Sequence, residues 1–108
     1  MQDKITIVLK AIADPTRREL FHALVIAATA MPITQLSAQF DISRQGVTKH
    51  LKVLDDAGLI TIETLGRERY CKATPKELKE IQKWLSFYEQ FWDDKLGKLG
   101  TFLDNSTS

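Results

Sequence analysis

Residues 43–60, SRQGVTKHLKVLDDAGLI, constrain the fold more than any other stretch of this 108-residue chain. Ser43 is a residue type that commonly caps helix N-termini, and Gly58 suits the backbone that ends a helix. Apolar side chains recur between them at helical spacing: Val47, Leu51 and Leu54. The stretch therefore predicts a helix over about 44–57 that buries one face and leaves the other exposed.

The segments on either side of this helix define a motif. A short helix is predicted around 34–40, separated from the 44–57 helix by a three-residue turn. The β-branched, alternating stretch 59–64 and the stretch 69–73 predict a strand pair that turns at 65–68. Two helices across a tight turn, followed at once by a hairpin, are typical of a winged helix-turn-helix.

The remaining segments complete a mainly helical chain. Apolar spacing predicts a first helix over 3–12, and Asp14-Pro15 begins a second helix that ends before Pro32. The sequence TPKE at 74–77 reads as a capping box that opens a long helix over about 75–103. We therefore predict a mainly α fold with a β-hairpin wing, in the order α-α-α-α-β-β-α. Residues 1–103 would form a single domain and 104–108 a disordered tail.

Composition excludes several classes of protein. The net charge is only +1, so any affinity for nucleic acid must come from local placement of charge. Cys71 is the only cysteine, so no internal disulfide can form and a reducing cytoplasm fits. We find no apolar run long enough for a bilayer, and predict no membrane association. No paired carboxylates, nucleophile set or phosphate loop is evident, so we predict that the chain is not an enzyme.

The exposed face of the 44–57 helix is rich in groups that read DNA. Glutamine can pair with an adenine edge, lysine with guanine or phosphate, and a threonine methyl with the thymine methyl. Acidic residues come only near the helix end, at Asp55 and Asp56. Arg67 and Arg69 at the hairpin tip could reach phosphates or the minor groove. The alternatives are an ordinary solvated helix face and a solubilising loop. Gly46 either permits close approach of a phosphate or is merely tolerated.

The last predicted helix carries more apolar surface than one face of a small domain needs. Its apolar residues recur at three- and four-residue steps: Ile81, Trp84, Leu85, Tyr88, Phe91, Trp92, Leu96, Leu99 and Leu103, with Phe87 on a second side. Aromatic side chains dominate contact area in interfaces, so we favour a dimer surface over a ligand pocket.

Three stretches resemble the ArsR family of bacterial winged-helix repressors: ADPTRREL at 13–20, the 43–60 run, and GRERYCKATP at 66–75. The resemblance covers nearly the whole chain in the same order. It implies a homodimeric transcriptional repressor on a palindromic operator, with the recognition helix (about 44–57) in the major groove. The wing (65–69) would contact the flanking backbone or minor groove, and the first and last helices would form the dimer.

Two sets of site residues are predicted, one for DNA and one for the dimer. The partners would be double-stranded DNA and a second copy of the chain. The predicted DNA-binding residues are Ser43, Arg44, Gln45, Thr48, Lys49, His50, Lys52, Arg67 and Arg69. The predicted dimer contacts are Ile5, Val8, Leu9, Trp84, Leu85, Tyr88, Phe91, Trp92, Leu96 and Leu99.

Many members of the resembled family sense metals, but this sequence lacks the usual ligands. The helix before the recognition helix, ITQLSAQF, has no cysteine or histidine, and residues 75–103 contain no histidine. Carboxylates alone make a poor site for a metal such as zinc. The ending FWDDKLGKL also resembles a metal-independent subgroup. We predict no metal and no cofactor, and the residues identify no inducer. The alternatives are a protein-binding winged helix and a metal- or redox-responsive member of the family.

Overall fold

The computed structural model describes residues 3–92, and these fall into two compact units, 3–78 and 79–92. Leu96, Leu99 and the predicted tail 104–108 lie outside the described residues. None of the described helices is both long and apolar enough to span a membrane. The helices are α1 (Lys4–Ala13), α2 (Pro15–Ala27), α3 (Ile33–Ala38), α4 (Arg44–Asp56) and α5 (Leu78–Phe91). The strands are β1 (Met31–Pro32), β2 (Ile60–Leu65) and β3 (Glu68–Ala73). The predicted mainly α fold with a hairpin wing is confirmed.

Side-chain caps set where the helices begin. The Asp14 carboxylate accepts from the Arg17 N–H at 3.0 Å, and the Ser43 hydroxyl oxygen accepts from the Gly46 N–H at 3.0 Å. Each bond satisfies a backbone donor that the first helical turn leaves without a partner. The predicted caps at Asp14 and Ser43 are therefore confirmed. Asp3 caps α1 in the same way, accepting from the Thr6 N–H at 2.7 Å.

Two arginines of α2 hold the end of α1. The Arg17 Nε donates to the Ala11 carbonyl at 2.6 Å, and the Arg18 Nη1 donates to the Ile12 carbonyl at 2.8 Å. The last carbonyls of a helix have no partners within it, and cations there also interact favourably with the helix dipole. The Pro-Thr-Arg-Arg run therefore fixes α1 to the start of α2.

The core of the first unit lies between α1, α2, α3, α4 and the sheet. The predicted inner face of α4 is confirmed, because Val47, Leu51 and Leu54 are all fully buried. The side chains buried around them come from the other elements: Val8, Leu20, Leu24, Leu36, Leu59, Ile60 and Cys71. This packing leaves the opposite face of α4 exposed.

The sheet contains one strand more than predicted. It has three antiparallel strands in the order β1-β3-β2, and Met31 pairs with Cys71 on the side of β3 away from β2. No local signal predicts β1, because Pro32 is typical of a helix stop and lacks an N–H for pairing. The pairing comes from tertiary contact with β3, and proline is tolerated because β1 is an edge strand.

The predicted capping box at 74–77 is wrong. The Thr74 side chain makes no cap and instead donates to the Gly58 carbonyl at 3.2 Å. Glu77 forms an ion pair with Lys4, with the Nζ and the carboxylate oxygen 3.3 Å apart. The segment from Pro75 forms a 3₁₀ turn, and the α-helix begins only at Leu78. The carbonyl of Gly58, just past the end of α4, is a partner for Thr74 that local sequence could not reveal.

Candidate nucleic-acid interface

The exposed face of α4 begins with side chains that can bind DNA. Arg44, Gln45 and Lys49 are exposed, and the first turn of the helix contains no acidic residue. Asp55 and Asp56 lie at the other end, about three turns away along a helix that rises ~1.5 Å per residue. The N-terminal half of α4 is therefore the end suited to an anionic partner.

The hydroxyl groups of Ser43 and Thr48 on this face differ in whether their O–H is free to donate a hydrogen bond to DNA. The Thr48 Oγ1 donates to the Arg44 carbonyl at 2.9 Å, so it offers a ligand only its acceptor lone pairs and its methyl group. The Ser43 oxygen accepts from Gly46, so its O–H remains able to donate. Ser43 can donate to a phosphate oxygen, whereas Thr48 is suited to a base donor or a thymine methyl.

Gly46 is explained in part by the cap beside it. A Cβ added at Gly46 would stand 3.2 Å from the Ser43 Oγ, which is tighter than an ordinary contact. Glycine inside a helix costs about 1 kcal/mol relative to alanine, and here it leaves room for the capping serine. Close approach of a phosphate remains compatible with the same glycine.

The hairpin tip lies beside the N-terminal half of α4. The tip turns at Gly66–Arg67, where Gly66 has φ of +65°, a left-handed value that favours glycine. A cleft of about 230 Å³ separates the tip from the helices. Its lining residues come from α3, α4 and the hairpin: Ile33, Thr34, Arg44, Thr48, Arg67, Glu68 and Arg69. The structure thus brings four of the predicted DNA-binding residues to one cleft. Gln45 and Lys49 line an adjoining shallow depression with Arg44 and Thr48.

Two of the predicted DNA-binding residues, Lys52 and His50, do not line the cleft or the adjoining depression and have other surroundings. The Lys52 Nζ lies 3.3 Å from the Asp56 carboxylate, in an exposed ion pair that DNA would have to compete with. His50 is half-buried and close enough to Asp14 to affect its titration. The Arg17 N–H, and then the charges of Arg17 and His50, hold the pKa of Asp14 below its usual value. Because His50 is half-buried and its charge acts on Asp14, we leave it out of the proposed DNA contacts.

The predicted dimer residues divide into buried and exposed groups. Val8 is fully buried within its own chain, whereas Ile5 is half-buried and Leu9 is exposed. We therefore leave Val8 out of the proposed dimer surface. In α5 no residue is buried. The exposed apolar side chains of its aromatic surface, residues 84–92, are Trp84, Leu85, Phe87, Tyr88, Phe91 and Trp92.

The rings of this aromatic surface pack along the helix. Trp84 and Tyr88 meet edge to face with centroids 5.6 Å apart, and Phe87 meets Tyr88 in the same way at 5.1 Å. Phe87 also contacts Phe91 at 5.5 Å. Phe87 thus joins the aromatic surface rather than standing on a separate side. The rings thus form a contiguous apolar patch that is half-exposed in the single chain.

Comparison with known proteins places this geometry in a family. A family model described as a helix-turn-helix domain matches residues 12–63. The uncharacterised HTH-type transcriptional regulator YuzN of Bacillus subtilis is 36% identical over an alignment of 84 residues that covers 72% of this chain and 91% of the relative. The arsenical resistance operon repressor of B. subtilis is 32% identical over 72 residues, covering 67% of this chain and 68% of the relative.

A solved structure supports the same family as these sequence comparisons. The ArsR-like transcriptional regulator from Rhodococcus sp. RHA1 superposes with a TM-score of 0.70 at 27% identity, over 92% of each chain. This chain belongs to the ArsR family of winged-helix transcriptional regulators. The family predicted from the three sequence motifs is thereby confirmed, and so is its winged helix-turn-helix fold.

Residues 3–92 of this ArsR-family regulator contain no cluster of side chains that could bind a metal ion. No group of three or more histidine, cysteine, aspartate or glutamate side chains in that range could hold a metal ion. The helix before α4 carries neither cysteine nor histidine. Cys71 is fully buried in β3, and its thiol lies 3.4 Å from the Met31 carbonyl oxygen. The position suits a small apolar residue that packs beneath the sheet.

The burial of Cys71 also opposes a redox role. Burial raises the pKa of the Cys71 thiol to about 11, so almost none of it is thiolate at neutral pH. The thiolate is the species that reacts with disulfides and oxidants.

We expect Cys71 to be unreactive in the folded regulator. Incubation with 5,5′-dithiobis(2-nitrobenzoic acid) at pH 7.5 should release little thionitrobenzoate over an hour, because the thiol is both protonated and inaccessible. The same protein in guanidinium chloride should release one equivalent within minutes. Full reaction without denaturant would contradict the burial of Cys71 and restore the redox alternative.

Proposed function

We propose that this ArsR-family regulator is a homodimeric repressor that binds a palindromic operator. In this proposal α4 enters the major groove by its N-terminal half, and the hairpin tip contacts the flanking backbone or minor groove. The observation that carries the proposal is the shared cleft, where Arg44 and Thr48 of α4 meet Arg67 and Arg69 of the hairpin. A basic helix end beside a basic turn matches the shape and charge of a groove edge.

Charge separates this proposal from a protein-binding winged helix. A protein-binding face would be expected to expose apolar side chains at the start of α4. The exposed residues there are Arg44, Gln45 and Lys49 instead. Electrophoretic mobility shifts across a range of salt concentrations would distinguish the two, because phosphate contacts weaken steeply as salt rises.

The aromatic surface of α5 supports the homodimer. One recognition helix covers a single half-site, and two copies held about one DNA turn apart (~34–36 Å) would bind as one unit. The exposed rings of residues 84–92 supply the apolar area that such a dimer requires. Ile5 and Leu9 of α1 are candidates for the same interface.

Gln45 is the first test of base reading. Selection of bound fragments from random DNA should yield a palindromic motif for the wild-type chain. Gln45→Ala should relax the preference at one position of each half-site and cost ~1–3 kcal/mol of operator affinity, the range for one good base contact. Gln82→Ala, on the exposed part of α5, is the matched control and should select the wild-type motif. An unchanged motif with Gln45→Ala would show that the groove face of α4 has been assigned wrongly.

We also propose that metals do not control operator binding. The support is the absence of a ligand cluster in residues 3–92 and of cysteine or histidine in α3. Operator affinity measured with zinc, cadmium or arsenite at micromolar concentration should equal the affinity with a chelator. A tenfold loss caused by one of these and reversed by its chelator would place the chain among metal-responsive regulators.

A further inference from the structure

We propose that the cleft between α4 and the hairpin tip holds one backbone phosphate of bound DNA, and that Arg44 and Arg69 bind this same phosphate. The inference rests on the proposed function and adds a specific seat to it. The cleft volume of about 230 Å³ is several times the ~30 Å³ of one water molecule in the liquid, so a phosphate oxygen pair can enter it. The two arginines reach it from different elements, one from α4 and one from β3.

The direction of Arg69 follows from the alternation of β3. Successive side chains of a strand point to opposite faces, so Arg69 shares a face with Cys71, two residues on. Cys71 is fully buried, which makes this face the one that packs on the body of the first unit. Arg69 therefore lies on the side of the strand that faces α3 and α4, where it lines the cleft while remaining exposed. Glu68 and Lys72 alternate to the other face, although Glu68 also borders the cleft.

In the part of the chain that the structure describes, no carboxylate is bound to the arginines of the cleft. Within residues 3–92, none of Arg44, Arg67 and Arg69 forms an ion pair, in contrast to Lys52 with its partner Asp56. Ile33, another lining residue, is almost fully buried and contributes apolar wall. Three guanidinium groups outnumber the one carboxylate among the lining residues, that of Glu68, so the cleft favours an anion, and arginine can donate two parallel hydrogen bonds to phosphate.

A shared phosphate would fix the hairpin tip relative to α4 on the DNA. The phosphate would be bound at once by α4, which contacts the bases in the groove, and by the hairpin, which lies outside the groove. Phosphate contacts carry no base information but set the register of a protein on the duplex. The shared phosphate contact would therefore set the position of the base-reading face of α4 along the groove.

The salt dependence of binding tests whether the phosphate is shared. Arg44→Gln, Arg69→Gln and the double variant would be titrated with one operator duplex between 50 and 300 mM salt. Each phosphate contributes about 0.9 to the slope of log K against log salt. A shared phosphate predicts that the double variant loses about one unit of slope, whereas separate phosphates predict a loss of about two. Lys72→Gln, on the opposite face of β3, is the matched control and should keep the wild-type slope.

A phosphate scan identifies the seat on the DNA. Uncharged methylphosphonate would replace each operator phosphate in turn. One position in each half-site should weaken wild-type binding by about tenfold, and the same position should have almost no effect on the double variant. Two different positions that respond separately to Arg44→Gln and Arg69→Gln would overturn the shared seat.

The results of these experiments distinguish a failure of the shared phosphate site from a failure of the proposed repressor function. Duplex binding without any selected motif would contradict the operator-binding repressor, while the loss of salt slope in the double variant would still test the shared phosphate on that duplex. A selected motif with a two-unit loss of slope in the double variant would contradict the seat and leave the repressor intact. A wild-type chain that binds no duplex would overturn both.

Discussion

Replacing Trp84 and Trp92 together with alanine should convert the regulator to a monomer and lower its operator affinity by about 100-fold or more. Both indole rings are half-exposed in the single chain, at 43% and 53% of their full area. Trp84 also supports Tyr88 through an edge-to-face contact. Large rings dominate the apolar area of interfaces, and linking two half-site binders raises affinity by ~10²–10⁴. Sedimentation should give the monomer mass, and labelled operator DNA should show the weaker binding by anisotropy.

The matched control for the double tryptophan variant is Lys83→Ala. Lys83 lies on the same helix and forms only an exposed ion pair with Glu80, at 3.5 Å. Such pairs contribute little, so this variant should stay dimeric with unchanged affinity. If the double tryptophan variant also remained dimeric with full affinity, the dimer would form elsewhere. The aromatic surface of residues 84–92 would then be a ligand site or part of a larger core.

The parts of the fold that were predictable depend on nearby residues. Asp14 and Ser43 cap helices that begin directly after them, and Gly58 adopts φ of +79° at the end of α4. Each of these signals needs only a few neighbouring residues. The parts that failed depend on remote partners. β1 exists because Met31 meets Cys71, and the Thr74 hydroxyl turns to the Gly58 carbonyl.

The candidate site was predictable to a similar extent. The helical period alone separates Gln45 and Lys49 from the buried Val47, because side-chain direction on a helix follows spacing. The cleft between α4 and the hairpin depends on how two elements pack, which spacing does not reveal. For two predicted DNA-binding residues the sequence also carries a signal of a second role. Lys52 and Asp56 are four residues apart, the spacing of a helical ion pair, and His50 borders the buried face at three residues from Val47.

Leu51→Ala should destabilise the first unit by ~2–5 kcal/mol, the range for truncating a buried leucine. Leu51 is fully buried at the middle of the helix, so truncation removes its contacts and leaves a cavity. Small domains are stable by only ~5–15 kcal/mol in total, so much of the protein would unfold under mild denaturant. Urea unfolding followed by circular dichroism at 222 nm measures the change.

Lys49→Ala, two residues away on the exposed face, is the matched control. It should change stability by no more than ~0.5 kcal/mol, because Lys49 makes no buried contact. Lys49→Ala should nevertheless weaken operator binding. Leu51→Ala, measured at low temperature and without denaturant, should keep the wild-type operator affinity in the fraction of protein that remains folded. The opposite pattern, with Lys49→Ala unfolding the chain or Leu51→Ala leaving stability unchanged, would mean that the two faces of α4 had been assigned in reverse. The division between the face that folds the chain and the face proposed to bind DNA is thus measurable on one helix.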